Sequence, residues 1–116
     1  MDTHQLTRQA RTQVKLLADV LMQRNLQLAC AESCTGGLLA KICTDLPGSS
    51  AWFDRAYITY SNAAKNQMLG VDADLIIQQG AVSEAVACAM VEGVVHSSGL
   101  AVAASITGIA GPGGGS

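Results

Sequence analysis

Aromatic side chains are nearly absent, at 3% of the 116 residues. That scarcity argues against an aromatic-rich β-sandwich and for helices packed closely on a sheet through Ala and Val. Charge is sparse as well: 14% of residues are charged, the net charge is -2, and no basic run exists, so the chain lacks the electrostatic footprint of a nucleic-acid binder. No apolar run reaches the roughly 18 residues of a membrane span. The opening "MDTHQLTRQARTQ" has no signal-peptide apolar region, so no membrane partner is expected and the expected compartment is the cytoplasm. The four cysteines, Cys30, Cys34, Cys43 and Cys88, form no C-x-x-C pair and no disulfide-scaffold density, which reads as small reduced core residues. Cysteine and histidine never gather at ligand spacing, so no metal site is expected. No linker and no internal repeat divides the chain, and a single domain over residues 1–116 is expected.

Hydrophobic residues make up 49% of the chain, enough for a core without staples. Leu6, Ala10, Val14, Leu17 and Leu21 recur at helical spacing over residues 4–24, and Asn25 suits the stop. "LQLACA" alternates as a strand, and a short helix from Thr35 or Gly36 to about Asp45 should bury Leu39, Ile42 and Leu46. "RAYITYS" is β-branched and aromatic and reads as a second strand. Asn62 can cap the next helix, with Gly70 as its stop. Asp72 opens a shorter turn that ends at Gly80. Ser83 caps a strong helix carrying Val86, Met90 and Val94, and Gly99 closes it. "LAVAASIT" is a buried strand, and "GIAGPGGGS" is a glycine-rich loop. Such alternation makes a mainly parallel sheet with helices on its faces. Ligands bind beyond the carboxyl ends of such strands, where "ESCTGG", "SNAAK" and "GIAGPGGGS" all fall.

Ser33 sits between strand and helix. It can be a plain N-cap, or a nucleophile beside free N–H groups at Thr35, Gly36 and Gly37 that would hold an oxyanion. Two glycines weaken a helix start by about 1 kcal/mol each relative to Ala, a cost that fits a need for backbone access. A nucleophile needs a base. His4 lies in a polar stretch, and His96 suits a surface place near a helix C-terminus. Lys65 would occupy the third helical position after an Asn62 cap. There the helix dipole and any burial lower its pKa toward that of a usable amine base; the alternative is a solvated surface lysine. Tyr60, at the strand end, can link Ser33 and Lys65 through its hydroxyl or be a half-buried strand residue. Cys34 is a rival nucleophile. Glu32 is either an orienting acid or a favourable charge near a helix start. Ser49 and Ser50 are ordinary loop residues or donors to an anion. "GPGGGS" lacks the P-loop pattern and is weak evidence for a phosphate cradle.

"AESCTGGLLA", "PGSSAWFDRAYITYSNAAK", "GAVSE" and "SITGIAGPGGGS", in this order through about residues 15–116, together resemble the C-terminal domain family of competence/damage-inducible protein CinA, whose stand-alone form is nicotinamide-nucleotide amidase. The resemblance implies a three-layer α/β/α fold, usually oligomeric. It implies an amidohydrolase that converts nicotinamide mononucleotide to nicotinic acid mononucleotide and ammonia, with no metal or organic cofactor. By motif position it puts the nucleophile on Ser33, the base on Lys65 and a supporting tyrosine on Tyr60. Substrate contacts would then fall on Glu32, Ser49, Ser50, Asn62 and the glycines Gly111, Gly113 and Gly114. Family domains continue past "GPGGGS" into a further strand and helix, so an exposed sheet edge is expected here.

Overall fold

The structure, a computed structural model, describes residues 2–109. Helix α1 (Thr3–Gln23) opens with a reciprocal cap: the Asp2 carboxylate accepts from Gln5 N–H, and the Gln5 side chain accepts from Asp2 N–H, satisfying two orphan groups at once. The helix stops at Arg24, and Asn25 follows with φ 55°, a left-handed conformation that Asn tolerates. The expected inward stripe has shifted. Val14, Ala18 and Leu21 are buried, whereas Leu6 and Leu17 are exposed, because the apolar face is wider than the surface it covers.

Strands β1 (Leu28–Glu32), β2 (Phe53–Ile58) and β3 (Val102–Ile106) form one parallel sheet in the order β2-β1-β3. Parallel neighbours need crossovers, and these are helical. Helix α2 (Leu38–Asp45) and a 3-10 turn (Ser49–Ala51) lie between β1 and β2, while α3 (Asn62–Leu69), α4 (Ala73–Gln79) and α5 (Glu84–Ser98) lie between β2 and β3. β1 is central and buried along its whole length, and for that reason it shows little polar alternation in sequence.

The two sheet faces carry separate cores. On one, Leu28 packs with Val14, Ala18 and Leu21 of α1, Ile42 and Cys43 of α2, and Trp52. On the other, Ala29 and Ala31 meet Leu69, Val71, Ile76, Val86, Met90 and Val94 from the region of α3 to α5. This is the expected three-layer α/β/α arrangement. The Val86–Met90–Val94 stripe is fully buried, as its spacing predicts. Helices α3 and α5 touch through Gly93, where an added Cβ would lie 2.2 Å from the Leu69 carbonyl oxygen. Only glycine lets the backbones approach so closely.

The caps agree with the sequence at Asp72, Ser83, Gly70, Gly80 and Gly99. One differs: Ser61, not Asn62, caps α3, its hydroxyl accepting from Ala64 N–H. Asn62 is therefore the first helical residue and Lys65 the fourth. Among the described residues, no helix is long and apolar enough to cross a membrane.

Candidate active site

β1 ends by sending consecutive side chains to opposite faces. Glu32 points toward α2 and Ser33 toward α3. Both are buried, at 0% and 6% exposure, and so is Lys65, at 1%. The Lys65 amine lies 3.0 Å from Ser33 Oγ and 3.2 Å from the Tyr60 main-chain carbonyl oxygen. The Ser33 hydroxyl is itself 3.3 Å from that same carbonyl. Burial pushes the Lys65 amine below the ordinary lysine range, with the Cys34 thiol acting in the opposite sense. Ion pairs among the described residues join Arg11 and Lys41 to Asp45 and Arg55 to Asp54, and none involves Lys65. A buried amine without a carboxylate gives up its proton more readily than a solvated one.

Glu32 is arranged in the opposite way. Its Oε1 accepts from Thr35 Oγ1 at 2.6 Å, Gly37 N–H at 3.2 Å and Leu39 N–H at 2.9 Å, and its Oε2 accepts from Ala40 N–H at 3.0 Å. The α2 N-terminus has no side-chain cap of its own: Gly37 stands there with φ 113°. Glu32 supplies that cap from the preceding strand, with its charge at the positive end of the helix.

Several expectations are corrected by this geometry. Ser33 caps no helix, because α2 starts only at Leu38 and Gly37 holds the cap position. Glu32 is closed to a ligand, because its oxygens are spent on the chain's own donors and it is wholly buried. The Gly36 and Gly37 N–H groups are already committed to the Ser33 carbonyl and to Glu32. Of the expected oxyanion donors, Thr35 N–H has no protein acceptor among the described residues, and neither does Cys34 N–H. Tyr60 contributes its carbonyl rather than its phenol, and its side chain is 65% exposed. Ser49 and Ser50 lie in the 3-10 turn that precedes β2. β2 runs parallel to β1 for six residues, so these serines sit at the opposite end of the sheet from Ser33, roughly 17 Å away. Asn62 is exposed, one turn before Lys65. Gly111, Gly113 and Gly114 lie outside the described residues.

The cysteines divide. Cys30 and Cys43 are buried core residues, their thiols pushed up to about 12 and about 11 by burial and by the nearby Glu32 charge, which makes them poor nucleophiles. Cys88 is exposed, against expectation, while Cys34 is half-buried and sits where a Cβ on Gly108 would come within 3.2 Å of its Sγ. His4 and His96 are exposed, and neither comes near Ser33.

β3 lies next to Ser33. Ser33 N–H donates to the Ile106 carbonyl at 3.0 Å, and Ile106 borders a hollow of about 450 Å³ between β3 and the start of α5, with Ser83, Glu84, Ser105 and Thr107 on its walls. Ser105 and Thr107 hydroxyls donate to the Ala87 and Ala81 carbonyls. Sequence reasoning overlooked the Tyr60 carbonyl. Of the two readings of Glu32, the favourable charge near a helix start is the one the hydrogen bonds support; that it caps α2 through four bonds was not foreseen.

Comparison with known proteins agrees with the architecture. Nicotinamide-nucleotide amidohydrolase PncC of Enterobacter agglomerans is 61% identical over 89 residues, covering 77% of this chain and 54% of that protein. The protein of the same name from Escherichia coli K12 is 50% identical over 100 residues, covering 86% of this chain and 61% of that one. The chain thus spans little more than half the length of these relatives. Among solved structures, a competence damage-inducible protein from Klebsiella pneumoniae superposes with a TM-score of 0.87 at 35% identity, over 91% of this chain and 66% of that one. One from Agrobacterium tumefaciens gives 0.85 at 40% identity, over 92% and 65%. Residues 10–116 match the model of the CinA C-terminal domain, and the chain belongs to that family.

Proposed function

We propose that this chain carries the reacting centre of a nicotinamide-nucleotide amidase, with Ser33 as nucleophile and Lys65 as its base. One observation carries the reading: a buried lysine amine 3.0 Å from a buried serine hydroxyl, with no ion pair to the amine among the described residues. The named amidohydrolases among the relatives point to the carboxamide of nicotinamide mononucleotide as the substrate.

In the resting arrangement Nζ donates to the Ser33 hydroxyl and to the Tyr60 carbonyl, and the hydroxyl donates to the same carbonyl. For the reaction a neutral amine turns its lone pair to the Ser33 proton while still donating to the Tyr60 carbonyl. Ser33 Oγ then attacks the carboxamide carbon while its proton passes to Lys65. The carbonyl oxygen becomes an oxyanion that the N–H groups of Cys34 and Thr35, without a protein acceptor among the described residues, are the candidates to hold. Lys65 returns the proton to the amide nitrogen, the C–N bond breaks and ammonia leaves. Water adds to the resulting Ser33 ester, giving its proton to Lys65, and the carboxylic acid product departs with Ser33 restored.

The test is ammonia release from nicotinamide mononucleotide. Ser33→Ala should lower the rate by about 10⁴-fold or more while ligand binding survives, and an unchanged rate removes Ser33 from the reaction. Cys34, next in the chain and partly exposed, is the competing nucleophile, but no base lies within hydrogen-bonding distance of its sulfur among the described residues. Cys34→Ser should retain most of the activity, and its abolition would transfer the role to the thiol.

A further inference from the structure

We infer that Glu32 is a positioning residue: its buried carboxylate ties the Ser33–Gly37 turn to the first turn of α2 and thereby fixes where the Ser33 hydroxyl and the Cys34 and Thr35 N–H groups stand. The inference rests on the amidase reading for its kinetic part and on geometry for the rest.

The turn needs an external anchor. Gly36 and Gly37 both adopt positive φ, at 59° and 113°, and glycine leaves such a segment with the greatest freedom to move. The turn's own bonds are few: Gly36 N–H reaches the Ser33 carbonyl and Leu38 N–H the Thr35 carbonyl. Glu32 adds four bonds spread from Thr35 to Ala40. It is itself held within the sheet, where its carbonyl accepts from Thr59 N–H at 2.9 Å. One side chain therefore links β1, the reactive turn and α2. It also occupies the α2 N-terminus with the chain's own anion, leaving that place closed to an anionic part of the substrate.

Glu32→Gln tests this. The amide keeps one oxygen for Thr35, Gly37 and Leu39 but sets an N–H₂ group against Ala40 N–H, two donors face to face. The expected result, measured well below the variant's melting temperature, is a fall in kcat of about 100-fold, because small misplacements of a nucleophile cost that much, with KM for nicotinamide mononucleotide retained. Cys34, inside the turn, reports on it independently: its alkylation by iodoacetamide should speed up several-fold. Unchanged kcat together with unchanged Cys34 alkylation overturns the inference. Should Glu32→Gln fail to fold, Thr35→Val decides, since it removes one of the four bonds and should move both readouts the same way to a smaller extent; no movement in either overturns the claim. If the unaltered chain releases no ammonia, the amidase reading fails, and Cys34 alkylation alone judges the positioning role.

Discussion

Two charged side chains are buried within a few ångströms of the β1 carboxyl end, and they are treated in opposite ways. Glu32 has four donors for its two oxygens. Lys65 has two acceptors, one of them a hydroxyl that can equally give it a proton. A buried group whose hydrogen-bonding capacity is filled is fixed in place, because moving it breaks bonds that water cannot replace. An under-satisfied one changes state cheaply. The difference separates scaffold from reacting group more sharply than burial does, since Glu32 and Lys65 are equally hidden.

The comparison breaks most visibly if the two are removed in turn. Lys65→Met should cut ammonia release by about 10³-fold, the scale of a lost general base, while costing less than about 1 kcal/mol of stability because no charge partner is orphaned. Glu32→Gln should cost about 3 kcal/mol, since it mismatches donors at a buried helix start. Urea denaturation of both variants checks the order; a Lys65→Met protein less stable than Glu32→Gln would reverse it. Gly93→Ala attacks the Lys65 side from a distance. Its Cβ cannot coexist with the Leu69 carbonyl at 2.2 Å, so α3 must move away from α5, carrying Lys65 with it. A loss of about 3 kcal/mol is expected, seen as a melting temperature lower by roughly 15 °C. Retention of full stability would mean that α3 and α5 do not meet through Gly93.

The state of the amine gives a finer test. Burial lowers the folded-state pKa of Lys65 below the unfolded value near 10.4. Between those two values the unfolded chain holds a proton that the folded chain does not, so stability rises with pH across that window. The penalty is complete below the folded pKa and gone above about 10.4. Measured against Lys65→Met to cancel other titrations, the unaltered protein should gain stability as pH is raised from the folded-state pKa toward about 10.4. The rate of ammonia release should climb over the acidic limb of the same titration. A relative loss of stability over that range would show that Lys65 is held as a cation.

Much of this was legible in the residues. The caps at Asp72 and Ser83, the stops at Gly70, Gly80 and Gly99 and the Val86–Met90–Val94 stripe are local features, set within a turn or two of chain, and they read correctly. The Ser33–Lys65 pair was reachable because Ser33 directly follows β1 and Lys65 lies early in the helix that follows β2, and parallel strands bring the segments beyond their carboxyl ends together. What failed was set by how the turns fold rather than by residue type. Glu32 was read correctly as a charge near a helix start, but its place as a substrate contact fails because its donors, three to eight residues ahead, close over it once α2 starts late, at Leu38. Tyr60 drew attention by its phenol, whereas the backbone turn after β2 presents its carbonyl. Ser49 and Ser50 looked near the site because adjacency in sequence hides the length of β2, which carries the chain from one end of the sheet to the other.

A third buried polar group completes the comparison with the smallest expected effect. Thr59 is wholly buried beside Glu32, and its N–H is bonded, but its hydroxyl finds no partner among the described residues. It is neither saturated like Glu32 nor paired with a reacting group like Lys65. An unsatisfied buried hydroxyl costs about 1–3 kcal/mol, and Val matches Thr in shape. Thr59→Val should therefore raise stability by about 1 kcal/mol, a gain of a few degrees in melting temperature, with kcat unchanged. A fall in stability instead would mean that the hydroxyl is held by a partner such as a buried water, which would move Thr59 from an idle group into the same saturated class as Glu32.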